Sequence, residues 1–214
     1  MAKVLYITAN PKEESRSYGK TIGRHFLEAY ASARPDDDIF ELDLYRSPVQ
    51  LIDADILSAW ASLQQGAAMD ELTARQKQKL AALNELTAQF VGADKYVFVS
   101  PMWNLGLPPL LKAYIDAVVI QGKTYRDTPQ GPVGLLQGKK GLHIHVCGRD
   151  YAGDRSRLLF SDGYLTAIMR FIGVEMHDSV IVQGTMLARD GGGEEILRNA
   201  FRQCADAAKW LASA

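Results

Sequence analysis

The sequence predicts an α/β fold in which a parallel β-sheet carries helices on both faces. Short apolar runs of strand length alternate with helical patterns along the whole chain of 214 residues. Five such alternations need crossover connections, which join neighbouring parallel strands through a helix. A composition of 47% apolar and 23% charged residues is ordinary for a globular protein, so collagen, coiled coil and intrinsic disorder are excluded.

Five apolar runs predict the strands of this sheet. Residues 4–7 form the first run, and residues 39–44 alternate between apolar and polar as an edge strand does. Residues 96–99 are continuously apolar, which is typical of a central parallel strand. Residues 141–148 and 179–182 complete the set.

The segments between and after these strands have apolar side chains at helical spacing. The predicted helices lie around 22–30, 72–89, 108–118, 165–172 and 194–211. Pro108 and Pro109 open the third, where proline is tolerated in the first turn. Residues 47–66 and 124–140 fit neither pattern, and we interpret them as excursions near a site, within a single domain that spans 1–214.

The overall composition narrows the class of function. Lys+Arg 24 against Asp+Glu 25 leaves a net charge of −1, without the basic excess that a nucleic-acid partner requires. Cys147 and Cys204 make no disulfide framework, which favours a reducing compartment. No apolar run reaches the roughly 18 residues that span a bilayer. We therefore predict a cytoplasmic protein with neither a membrane nor a nucleic-acid partner.

Three loops are predicted to carry the chemistry. In an open parallel sheet, ligands bind beyond the carboxyl ends of the strands, where the strand order reverses. The loops that follow the first, third and fourth predicted strands are residues 10–17, 101–106 and 147–151. These loops should therefore meet at one edge of the sheet.

The first loop predicts a phosphate site. It contains neither a dinucleotide fingerprint nor a P-loop, but it places Asn10, Ser15, Arg16 and Ser17 where a helix begins. Hydroxyl groups together with the unpaired N–H groups of a helix N-terminus can hold a terminal monophosphate. The alternative is that Ser15 or Ser17 simply caps the helix.

The second loop predicts contact with a planar, apolar ring. Pro101, Met102, Trp103 and Asn104 place large apolar side chains after a strand, where polar turn residues are expected. The alternative is that Trp103 packs beneath a loop.

Other chemistries find less support. His143, His145 and Cys147 alternate along one strand and so share a face, which would allow zinc, but no fourth ligand is evident and we predict no metal. A hydrolase nucleophile elbow, GxSxG, is absent. The acidic run 36–38 follows Pro35 and is interpreted as a solvated turn.

An ordered set of motifs resembles the FMN-dependent NADH azoreductase family, flavodoxin-like proteins that also act as quinone reductases. The motifs are Lys3-Val4-Leu5, Ser15-x-Ser17, Pro101-Met102-Trp103-Asn104, Lys112-x-Tyr114-x-Asp116, Gly131-Pro132-x-Gly134-Leu135, Gly138-Lys139-Lys140 and Phe171-Ile172-Gly173. The resemblance implies a flavodoxin-like three-layer sandwich with strand order 2-1-3-4-5. It also implies non-covalent FMN and a homodimer with the flavin near the interface.

The resemblance also assigns residues by motif. Ser15, Arg16 and Ser17 would hold the FMN phosphate, with Asn10 beside them. The ring and ribityl chain would contact Pro101, Met102, Trp103, Asn104 and Leu105, and a third loop would contribute Val146, Cys147, Gly148 and Arg149. Phe171 matches a position near the substrate face. The chain departs from the family at Asn10, where some members have Ser, at Arg16, where Gln is common, and in the third loop, which is typically Ser-Arg-Gly-Gly.

The implied activity is electron transfer from NADH or NADPH to quinones and azo compounds. One site used by the donor and then by the acceptor predicts ping-pong kinetics, and the flavin carries the chemistry, so no catalytic side chain is nominated. The alternative is a flavodoxin-like electron carrier or a flavin-regulated binding protein without small-molecule turnover. The near-neutral charge and the two excursions favour the enzyme. The choice between NADH and NADPH stays open.

Overall fold

The computed structural model describes residues 1–186 and 192–213. The strands are β1 (Lys3–Thr8), β2 (Asp38–Asp43), β3 (Lys95–Pro101), β4 (Tyr125–Thr128), β5 (Gly131–Gly134), β6 (Lys140–Val146), β7 (Glu175–Met176) and β8 (Val180–Val182). The helices are α1 (Tyr18–Ala33), α2 (Ala54–Gln64), α3 (Ala74–Gly92), α4 (Pro109–Val118), α5 (Phe160–Phe171) and α6 (Gly193–Ala212).

The main sheet is parallel and runs in the order β2-β1-β3-β6, and both β7 and β8 pair with the outer edge of β6. The central pair, β3 and β6, is in register from Lys95 opposite Lys140 to Pro101 opposite Val146. All carboxyl ends therefore point to one edge of the sheet. The predicted class, an α/β fold built on a parallel sheet, is confirmed.

The two faces of the sheet carry separate apolar cores. Leu5 and Ile7 of β1 pack with buried residues of α3, α4 and α5. Val4 and Tyr6, which point to the opposite face, pack with α1 and α6. This alternation is the period-2 geometry of a strand that is buried on both faces.

Both predicted excursions contain regular structure. Residues 47–66 include α2, whose first turn is capped by Asp53 and whose Ile56 and Ala59 are buried against α3. Residues 124–140 include the antiparallel hairpin of β4 and β5. Within the two described ranges, no helix is both long enough and apolar enough to cross a membrane.

Candidate functional site

A cleft of about 290 Å³ opens at the carboxyl edge of the sheet, between the ends of β1, β3 and β6. The predicted residues that line it are Asn10, Arg16, Ser17, Pro101, Met102, Trp103, Val146 and Gly148. The three loops that were predicted to meet at one edge of the sheet therefore all contribute residues to this cleft. A second cleft of about 300 Å³, between residues 47–50 and α3, has no basic side chain in its lining.

The start of α1 forms the polar end of the cleft. Ser17 is the N-cap, and its Oγ accepts a hydrogen bond from the Lys20 N–H at 3.3 Å. Asn10 Nδ2 donates to the same oxygen at 3.1 Å, while Asn10 Oδ1 accepts from the Lys12 N–H at 3.1 Å. Ser17 therefore does cap the helix, as the alternative interpretation held, and this cap lies in the wall of the cleft.

This end of the cleft suits an anion. Tyr18 and Gly19, the first helical residues, have N–H groups with no carbonyl in the preceding turn to bind. Lys12 and Arg16 line the cleft as exposed side chains and form no ion pair within the described part of the chain. Lys20, also in the lining, is neutralised by Asp43, whose Oδ2 lies 2.8 Å from its Nζ. Helix dipole and uncompensated cations together favour a negatively charged group here.

A tight turn after β3 presents Trp103 beside the cleft. Asn104 and Leu105 have φ values of 49° and 65°, and the Trp103 and Gly106 N–H groups each donate to the other residue's carbonyl at 3.0 and 2.8 Å. Positive φ at both central residues is the geometry of a type I′ turn, and a leucine there is strained. Tyr45 packs edge-on against the Trp103 ring. Its buried hydroxyl has no partner among the described residues.

The third loop is held by a segment that sequence reasoning missed. The Cys147 carbonyl accepts from the Thr185 N–H at 3.3 Å, and the Gly148 carbonyl accepts from the Met186 N–H at 2.9 Å. Thr185 and Met186 also line the cleft. A methyl group at Gly148 would lie 2.7 Å from Met186 Sδ, so glycine allows this close approach.

The remaining predicted residues lie outside the cleft lining. Ser15 is exposed in the 3₁₀ turn Glu14–Arg16, and Asn104, Leu105 and Arg149 lie in the turn and loop beside the cleft. Phe171 lies at the end of α5 with its ring 5.0 Å from that of Tyr125 in the hairpin. Cys147 is fully buried, and burial raises the pKa of its thiol to about 12.

Comparison with known proteins gives the chain its family. The profile of a family described as flavodoxin-like fold matches residues 2–206. An FMN-dependent NADH:quinone oxidoreductase from Geobacillus kaustophilus is 44% identical over 209 residues, which cover 97% of this chain and 99% of the relative. The chain belongs to the FMN-dependent NADH:quinone oxidoreductases.

A further relative and a solved structure indicate the same family. FMN-dependent NADH:quinone oxidoreductase 2 of Bacillus subtilis is 42% identical over 210 residues, covering 98% of this chain and 99% of the relative. An FMN-dependent NADH-azoreductase from Bacillus anthracis str. Ames Ancestor, solved in complex with FMN, has a TM-score of 0.91, 34% identity and full coverage of both chains.

The groups that line the cleft of this oxidoreductase family member are chemically suited to bind flavin mononucleotide. Its α1 end offers hydroxyl, amide and cationic groups for a phosphate, and its other walls offer Met102 and Trp103 for a planar ring. Beside Trp103, outside the cleft lining, the buried Tyr45 hydroxyl also has no hydrogen-bond partner among the described residues. His143 and His145, weighed above as metal ligands, are instead hydrogen-bonded to Ser100, Asp162 and Ser161.

Proposed function

We propose that this chain is an FMN-dependent NADH:quinone oxidoreductase that also reduces azo compounds, and that it works by a ping-pong mechanism. When bound, FMN would supply the two-electron chemistry, as acceptor of a hydride from NADH and donor of the electrons to the quinone or azo compound. The observation that carries the proposal is the cleft itself, where an anion-binding helix N-terminus and an apolar wall meet at the carboxyl edge of the sheet.

The residues of the chain bind and orient the cofactor. Ser17 and the N–H groups of Tyr18 and Gly19 would hold the phosphate, and Ser15, Arg16 and Asn10 would contribute from the same loop. Pro101, Met102 and Trp103, with Asn104 and Leu105 at the turn, would contact the ring and ribityl chain. The third loop, Val146, Cys147, Gly148 and Arg149, would contact the flavin through its backbone, because the Cys147 side chain is buried away from the cleft.

Several further properties are part of the proposal. NADH is the expected donor, since the relatives are named for it. We assign one domain to 1–214, and β7 with β8 together take the place of the fifth strand in the order 2-1-3-4-5. Both cysteines are buried free thiols, as in proteins of a reducing compartment, which supports a cytoplasmic location. A homodimer with the flavin near the interface is also proposed, with Phe171 near the substrate face.

The visible spectrum tests the activity directly. The purified protein is examined anaerobically, first alone or with added FMN, then with NADH, and then with a benzoquinone. Flavin bands that bleach with NADH and return with the quinone are expected. Bands that resist NADH would favour an electron carrier or a binding protein, and a protein that takes up no FMN would overturn the proposal.

Two serine variants test the phosphate site. Ser17→Ala removes the helix cap as well as a proposed ligand, so the apoprotein should lose about 0.5–2 kcal/mol of stability and FMN affinity should fall. Ser15→Ala removes an exposed hydroxyl with no hydrogen bond among the described residues, so FMN affinity alone should fall. FMN titration and urea unfolding of the apoproteins separate the two effects. Unchanged FMN affinity in both variants would contradict the assignment.

A further inference from the structure

A chain of buried polar side chains runs from the cleft floor to α5. Ser100, at the end of β3, lines the cleft, and its Oγ lies 2.9 Å from His143 Nε2. His143 Nδ1 lies 2.7 Å from Asp162 Oδ1 on α5. Ser100 and His143 are fully buried, and Asp162 is 17% exposed. The chain therefore links the floor of the cleft to a carboxylate that is largely withdrawn from water.

Asp162 is the charged group in contact with His143, and the His145 ring lies 4.7 Å from the His143 ring. Burial and the neighbouring His143 lower the pKa of His145 to about 3, so this imidazole is neutral, with its Nε2 2.9 Å from Ser161 Oγ. Burial raises the pKa of the Cys147 thiol and of the Tyr96 and Tyr114 phenols, which keeps all three neutral.

Asp162 itself is held as a carboxylate. Burial alone would raise its pKa, but the hydrogen bond from His143, with a smaller contribution from Ser179, holds the pKa below its ordinary value. A carboxylate only accepts hydrogen bonds, so His143 Nδ1 carries a hydrogen in either protonation state. Any added proton must therefore go to Nε2, the atom that faces Ser100.

Protonation of Nε2 reverses the bond to Ser100. In neutral His143, Nε2 accepts the Ser100 hydroxyl hydrogen. In charged His143, the Nε2–H donates to Ser100 Oγ, and the hydroxyl hydrogen turns to another acceptor. The reversal places a positive charge directly behind a residue that lines the cleft.

We propose that Ser100, His143 and Asp162 form a proton-loading site that balances the negative charge gained in the cleft when the bound cofactor is reduced. Hydride transfer from NADH brings two electrons and one proton into the cleft, and NAD⁺ leaves. The further proton that loads His143 comes from water and returns there when the acceptor removes the electrons. His143 and Asp162 are positioning residues, since they act through Ser100 and through their charge. This inference rests on the proposed function.

Histidine ¹⁵N resonances of the unmodified, FMN-loaded protein give a direct test. Their shifts report the protonation of each ring nitrogen, and they are followed between about pH 5 and 8 in the oxidised and the NADH-reduced protein. His143 is expected to keep its Nε2 proton to a higher pH after reduction. Identical His143 titrations in the two states would overturn the inference, as would an Nδ1 without hydrogen.

The midpoint potential of the bound flavin gives an independent readout. One extra proton per two electrons makes the potential fall by about 30 mV more per pH unit over the loading range. His143→Gln and Asp162→Asn should lose this extra slope. His177→Gln should retain it, since His177 lies against Trp210 near the opposite end of β6.

The outcomes separate the two proposals. Equal slopes in the unmodified protein and in both network variants would overturn the proton-loading site while leaving the flavoenzyme intact. A protein that binds no FMN, or whose FMN is not reduced by NADH, would overturn the proposed function and this inference with it.

Discussion

Asp37 ties together three elements at the amino edge of the sheet. Its side chain is 2% exposed, and it accepts hydrogen bonds from the Ala2 N–H and the Tyr30 hydroxyl, both at 2.7 Å. Lys95 Nζ lies 3.5 Å from the carboxylate. Burial alone would raise the pKa of Asp37, but these hydrogen bonds and Lys95 hold it well below its usual range. The interpretation of residues 36–38 as a solvated turn is wrong at this position.

The substitution Asp37→Asn should destabilise the protein by about 1–3 kcal/mol at neutral pH, because it leaves Lys95 without its partner anion. A depressed pKa contributes stability that is fully present above the unfolded value near 3.9 and is lost as the pH falls below it. The difference between the two proteins should therefore narrow below about pH 4 in urea unfolding. Asp36→Asn, at the exposed neighbour, is the matched control and should change little.

Single residues also show what local sequence can predict of the site. Ser17 was identified from the start of a helix and Trp103 from the end of a strand. Both residues line the cleft. Thr185 and Met186 enter the cleft because β8 pairs with β6 and carries the next segment across the third loop. The partners of Asp37 likewise come from other elements. Contacts of this kind depend on tertiary pairing, which no local pattern reports.

At the scale of elements, long periodic segments were predictable and short ones were not. The amphipathic α1 and the apolar β3 agree with their patterns, since burial on a fixed face imposes the period. The short α2 was missed although Asp53 caps it, because it buries few apolar residues and these pack on α3 and α4. The hairpin was missed because β4 and β5 have four residues each, and much of the pair is exposed.

At Gly134 the hairpin packs closely against the backbone that follows α5. A Cβ at this position would lie 2.2 Å from the Ile172 carbonyl carbon and 2.3 Å from the Gly173 nitrogen. Backbone atoms cannot yield as a flexible side chain can, so Gly134→Ala should destabilise the protein by about 1–3 kcal/mol. The control is Gly163→Ala on the exposed face of α5, where a methyl group meets nothing within 4 Å. It should be neutral or stabilising by up to about 1 kcal/mol.

Urea unfolding of the two glycine variants checks this prediction. If Gly134→Ala is as stable as the original protein, the hairpin can move away from α5 at no cost. The contact between Tyr125 and Phe171 would then be a loose one, and the surface formed by the hairpin and α5 would not be fixed in shape.

At the scale of the whole molecule, three large apolar side chains are exposed on or beside the hairpin and at the end of α5. Val133, Leu135 and Phe171, on or beside the hairpin and at the end of α5, are 41%, 39% and 38% exposed. Exposed large apolar side chains are a usual feature of a protein–protein interface. This supports the proposed homodimer, and we propose that this region, called here the apolar patch, takes part in the contact.

The substitution Phe171→Asp should convert the proposed dimer to a monomer, because it would place a charge in a desolvated contact. Light scattering should give twice the 23.6 kDa chain mass for the original protein and the single mass for the variant. Phe40→Asp, on the edge strand β2 and 51% exposed, is the control and should remain dimeric. A dimeric Phe171→Asp variant would exclude this patch as the interface. Loss of FMN that accompanies dissociation would indicate that the partner completes the site, whereas retained FMN would show that each chain holds its cofactor alone.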